Sequence, residues 1–166
     1  SNDWKIVGAG DINGDGKADV IFQNGTKTGA WLTGAENEMP QWRDLYDLGT
    51  ADNSILGTGD FDGNGIADVL IATKNSNGTV SYGTWLMNAQ TEAQWRTLVT
   101  LPASVVIESI SDINGDGKAE LRVRNGNDIA SISMSVSLDS NTVLTQWNSH
   151  GPVTDEWTTK LASPIL

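Results

Sequence analysis

The sequence predicts an all-β protein made of β-propeller blades, with three four-stranded repeats forming a partial propeller or a ring completed by oligomerisation. Two observations carry this reading. Three acidic nine-residue loops, Asp11–Asp19, Asp60–Asp68 and Asp112–Glu120, start 49 and 52 residues apart. The same short apolar runs flank each loop, and no stretch keeps a 3.6-residue apolar period with helix caps. Four-stranded units repeating every 50 or so residues fit propeller blades better than a solenoid, whose repeats are shorter.

Each unit opens on an apolar run before its loop: Ile6-Val7, Ile55-Leu56 and Val105-Val106-Ile107. The second strand follows the loop, as Val20-Ile21-Phe22, Val69-Leu70-Ile71, and Leu121 with Val123. Ala30-Trp31-Leu32 and Thr84-Trp85-Leu86 mark the third strand, where unit three has Ile132-Ser133-Met134. Gln41-Trp42-Arg43 and Gln94-Trp95-Arg96 mark the fourth. Its expected counterpart in unit three is Glu156-Trp157-Thr158, beyond an insertion around Asp139 to Val153. Strands are therefore expected near 4–9, 19–23, 28–33 and 42–48, then 54–58, 68–73, 79–87 and 95–101, then 104–110, 120–124, 128–137 and 156–162. Asn24-Gly25 and Asn77-Gly78 suit hairpin turns, because Asn-Gly accepts positive φ. The whole reads as one domain, 1–166, with blades at about 4–50, 54–102 and 104–166.

Composition narrows the function. Ten Lys and Arg stand against 21 Asp and Glu, a net charge of −11, which argues against duplex nucleic acid and anionic membranes as partners. No apolar run is long enough for a spanning helix. The absence of cysteine removes disulfides, thiolate zinc sites and thiol nucleophiles. The sequence shows no signal peptide, as expected of a mature chain or a piece of a longer one. The 18 glycines and seven tryptophans suit short strands and tight turns.

The loops carry the chemistry. Counting the first Asp as position 1, oxygen-bearing side chains fall at 1, 3, 5 and 9: Asp11, Asn13, Asp15 and Asp19; Asp60, Asp62, Asn64 and Asp68; Asp112, Asn114, Asp116 and Glu120. Gly16, Gly65 and Gly117 at position 6 permit a sharp turn. Lys17, Ile66 and Lys118 at position 7 differ in side chain, as expected if only the backbone carbonyl is used. Such all-oxygen, mostly anionic shells select Ca²⁺ over zinc, copper or Mg²⁺, with about three ions in the chain. An EF-hand would need Glu at position 12; here that position is Phe22, Ile71 and Val123, inside expected strands. The loop thus joins strand to strand.

The segments Gly8 to Ile21 and Gly57 to Leu70, with a weaker copy from Ser111 to Leu121, resemble the FG-GAP/VCBS-type calcium-binding repeats of integrin-like β-propellers. The resemblance implies a propeller with Ca²⁺ held between the first two strands of each blade. It also implies a secreted or cell-surface module for adhesion or for carbohydrate or protein binding, more often than catalysis. The alternatives are a purely structural domain of a larger secreted protein and, further off, a hydrolase.

The remaining residues fit this frame. Trp31, Trp42, Trp85, Trp95 and Trp157 recur at equivalent places and are expected to pack between blades, with a sugar-stacking platform as the other use. Trp4 and Trp147 show no counterpart. Asn24-Gly-Thr26 and Asn77-Gly-Thr79 match the glycosylation sequon, which a turn explains equally. His150 is the sole histidine and has no nucleophile elbow around it, so no enzyme is expected. Three blades leave two ends, and a homodimer would complete a six-bladed ring.

Overall fold

Twelve strands make up three separate four-stranded antiparallel sheets in the computed structural model, which describes residues 3–34, 38–89, 92–137 and 140–152. Blade one holds β1 (Lys5–Gly10), β2 (Asp19–Asn24), β3 (Lys27–Leu32) and β4 (Gln41–Asp44). Blade two holds β5 (Asn53–Gly59), β6 (Asp68–Lys74), β7 (Thr79–Leu86) and β8 (Gln94–Pro102). Blade three holds β9 (Val106–Ser111), β10 (Glu120–Asn125), β11 (Asp128–Ser137) and β12 (Ser140–Pro152). Within every sheet the strands neighbour one another in chain order. No helix occurs among the described residues. The architecture is that of propeller blades, without closure into a ring.

Strand alternation sends successive side chains to opposite faces, and each face of blade two meets a neighbour. Val69 and Ile71 pack with Ile12, Ile21 and Ala30 of blade one. Leu70 and Ala72 point the other way, into Leu121, Val123 and Ile132 of blade three. The first strands lie side by side, β1 against β5 and β5 against β9.

The acidic loops are sewn together by backbone. The Asp11 carbonyl accepts the Ala67 N–H at 2.7 Å, and the Asp60 carbonyl accepts the Ala119 N–H at 2.6 Å. This contact needs a glycine just before the loop. A Cβ on Gly10 would stand 2.7 Å from the Cβ of Ala67, closer than real Cβ atoms come. The Gly-x-Gly that precedes loops one and two is therefore an inter-blade feature, and Ser111 takes the second glycine's place in blade three.

The structure corrects the sequence reading in the fourth strands. β4 stops at Asp44, short of the expected 48. In blade three the stretch read as an insertion is itself the fourth strand, β12. Strands three and four are joined by residues 33–40 in blade one and 87–93 in blade two, but only by 138–139 in blade three, so the fourth strand arrives early. Trp147 faces Ile132 as Trp42 faces Trp31 and Trp95 faces Trp85. Gln146-Trp147 is thus the counterpart of Gln41-Trp42 and Gln94-Trp95. The expected strand at 156–162, with Trp157, lies outside the described residues.

Candidate metal centre

Each loop curls around its first carboxylate. Asp11 accepts the N–H groups of Gly14 at 2.7 Å, Asp15 at 3.1 Å and Gly16 at 2.7 Å. Asp60 does the same with Gly63, Asn64 and Gly65, and Asp112 with Gly115, Asp116 and Gly117. Turning those amides inward requires positive φ at positions 4 and 6, such as +80° at Gly14 and +83° at Gly16. Position 3 accepts the position 5 N–H, from Asp15 to Asn13, Asn64 to Asp62 and Asp116 to Asn114. Position 5 accepts the position 7 N–H of Lys17, Ile66 and Lys118. Successive Asx turns therefore gather the oxygens of positions 1, 3 and 5 within one loop.

Position 9 also anchors strands, and the strand it reaches is the third one of its blade. Asp19 is fully buried; it accepts the Ile12 N–H at 3.1 Å and the Thr33 N–H at 2.9 Å. Asp68, also fully buried, accepts Phe61 N–H at 2.8 Å and Met87 N–H at 2.7 Å. Each carboxylate pins its own loop to the end of its blade's third strand. Glu120 instead accepts the Ile113 N–H and the Asn114 side-chain amide, and that amide also reaches Asp116.

The three loops are not equivalent. Asp60, Asp62 and Asp68 bring carboxylate oxygens within 4.8 Å of one another, and among the described residues loop two alone gathers three acids this closely. Its acids occupy positions 1, 3 and 9. Loops one and three carry theirs at 1, 5 and 9, with Asn13 and Asn114 at position 3.

Electrostatics follow the crowding. Burial, with the charges of Asp62 and Asp60 adding to it, pushes the Asp68 carboxyl up to about 8. Burial also raises Asp62, with Asp60 adding and the Lys118 ammonium opposing. Burial raises Asp19. Asp112 is held below the usual carboxylate range by the N–H of Gly117 and then those of its neighbours. A cation in loop two would offset the burial and the repulsion that keep Asp68 protonated, and the hard oxygen donors suit an alkaline-earth ion.

Position 7 is less free than its variability suggests. Ile66 packs over Gly14 of the loop before it, and Lys118 over Gly63; Lys17 is exposed. Elsewhere, His150 Nε2 lies 3.0 Å from Oγ of the buried Ser131. Asn77 of the second sequon accepts the Thr79 N–H and hydroxyl within its turn.

Comparison with curated proteins and with solved structures gives no match. Residues 11–71, from the first acidic loop to β6, match the FG-GAP-like repeat family. The same loop and four-stranded sheet return along the chain beyond the matched residues, so the FG-GAP-like match falls on the first two of three similar units.

Proposed function

We propose that the chain is a calcium-binding FG-GAP module in which Ca²⁺ is structural and the blades present a binding surface for adhesion to carbohydrate or protein outside the cell. The carrying observation is the convergence of Asp60, Asp62 and Asp68, with Asp68 fully buried. Side-chain oxygens at positions 1, 3, 5 and 9 and the carbonyl at position 7 would hold one ion per loop. The ion would supply positive charge that lets the first hairpin of each blade close without repulsion. Affinities on the order of 10⁻⁴–10⁻³ M, typical of extracellular modules, fit this role. The role is one of binding; no catalytic step is assigned to His150 or the carboxylates.

The test is thermal unfolding after exhaustive chelation, with and without millimolar calcium. A rise in Tm with calcium is expected. An unchanged curve would remove the metal from the reading. A glycan and protein-ligand panel then separates adhesion from a purely structural role.

A further inference from the structure

The two ends of the blade array differ in chemistry. Every blade has one face for the blade before it and one for the blade after it. On the first kind of face blade two presents Ile55, Val69 and Ile71, and blade one covers them; Ile55 is 5% exposed. Blade one presents the same kind of face to solvent. Ile6, the counterpart of Ile55, is 69% exposed, and Trp31 is 48% exposed where its counterpart Trp85 packs into the blade one–two core. Trp4, Phe22, Trp31 and Trp42 form a ring cluster, with centroids 4.8 Å apart for Phe22 and Trp31 and 5.1 Å for Trp4 and Trp42. They line a groove of about 340 Å³. A sugar site would need polar groups among such rings, and this lining is aromatic throughout.

The opposite end is closed by polar residues. Leu70 and Ala72 of blade two point into blade three; their counterparts on blade three's outer face are Arg122 and Arg124, both paired with Glu108. Ser133 stands where blade two has Leu86. Ser111 stands where Gly10 and Gly59 allow the next blade's alanine to approach. Ile113, Val106 and Leu144 are the exposed apolar side chains on this face, set apart among these polar groups.

From this polarity we infer that the aromatic face of blade one is a docking surface for another FG-GAP-type blade, one with glycine at the place of Gly10 and Gly59, and that blade three ends the array. The interface already repeated twice in the molecule defines the occupant. Its loop carbonyl would take the N–H of Ala18, as Asp11 takes that of Ala67 and Asp60 that of Ala119. Exposed Ala18 holds the same place in its loop as those two residues. Blade three of a second copy does not qualify. In that pairing the Cβ of Ser111 would fall where a glycine's Cβ would already lie 2.7 Å from the alanine, and the Arg–Glu group would be buried against rings. A ring of two copies is thereby blocked at the joint, and the docking needs no calcium chemistry beyond an ordered loop.

The full chain tests this by sedimentation at high micromolar concentration. The wild type should remain at 17.7 kDa. The S111G/R122L/R124A variant gives blade three the outer face of an internal blade, and its weight-average mass should at least double. Adding Ala18→Trp should return it to monomer. A triple variant that stays monomeric while folded by circular dichroism overturns the proposal, as does a wild type that associates through Ser111. A second arm leaves blade three untouched. A copy of residues 5–52 carrying Trp31→Phe and Trp42→Phe, fused ahead of Lys5, should lower acrylamide quenching of the wild-type tryptophans and shift emission to the blue; a copy of residues 53–102 carrying Trp85→Phe and Trp95→Phe, appended after Leu166, should leave the wild-type tryptophans unchanged. Equal effects from both fusions, or none from the first, overturn the proposal. So does an oligosaccharide-induced blue shift in the wild type that Trp42→Ala removes, which would make the groove a sugar platform.

Discussion

Gly59 and Ala119 are in such close approach that a Cβ on the glycine would stand 2.7 Å from the alanine's Cβ. The contact sits beside the 2.6 Å hydrogen bond from Ala119 N–H to the Asp60 carbonyl, so the missing side chain brings two loops within bonding range. Gly59→Ala should therefore overpack the blade two–three joint and cost about 1–3 kcal/mol in urea unfolding. Ser111→Gly, at the equivalent place with no further blade packed on it among the described residues, should change stability far less. Equal losses in the two variants would show that the joint does not depend on this approach.

The buried Asp68 predicts a pH dependence. Its carboxyl is raised to about 8 in the folded protein against an ordinary value of 3.8. The folded state then binds more protons than the unfolded one between these values, so its stability contribution is full below 3.8 and lost as pH rises through about 8. In chelator, Tm should fall from pH 5 to pH 9. Saturating calcium should flatten the slope, because the ion takes the place of the proton. Calorimetry at several pH values checks this, and a metal-free Tm that climbs across that range contradicts it.

Loop two should bind calcium most tightly, because its acids stand at positions 1, 3 and 9. Asp62→Asn should weaken that site by about tenfold, the scale of one lost carboxylate in a partly screened shell. Asn13→Asp places an acid at position 3 of loop one and should strengthen that site. Titration calorimetry on the two variants reads the pair of outcomes. A gain in neither loop from an acid at position 3 would detach affinity from this geometry.

The position 7 residues should separate by context. Lys17→Ala should be nearly silent, since the side chain is exposed. Lys118→Ala removes an ammonium that lowers the Asp62 carboxyl, and should raise calcium affinity at loop two while loosening the packing over Gly63. Identical titrations for both variants would deny Lys118 any electrostatic reach into the loop.

What was legible in the sequence was what repeats locally. The loops, their glycines and the first three strands of each blade follow from Asp and Gly spacing and from apolar runs beside them. The fourth strand of blade three is misplaced when it is put on Trp157, which stands 45 residues after Asp112, whereas Trp147 keeps the 35-residue separation that Trp95 has from Asp60. The dipeptide Gln146-Trp147 was the available signal, since Gln precedes Trp42 and Trp95 as well. The inequality of the loops was hidden for another reason. Positions 3 and 5 both carry oxygen, and only the curl of the backbone decides which of them closes on position 9.

The carbonyl-to-amide contacts between loops also give the array a dynamic order. Loop two is held on both sides, through Ala67 to blade one and through Asp60 to blade three. The flanking loops are each held on one side within the chain. Fraying then begins at the outer loops and reaches the middle one last, so in native-state hydrogen exchange the Ala67 and Ala119 amides report the opening of the two seams, and the amides folded inside loop two, Gly63 to Gly65, keep the slowest clock of the three loops.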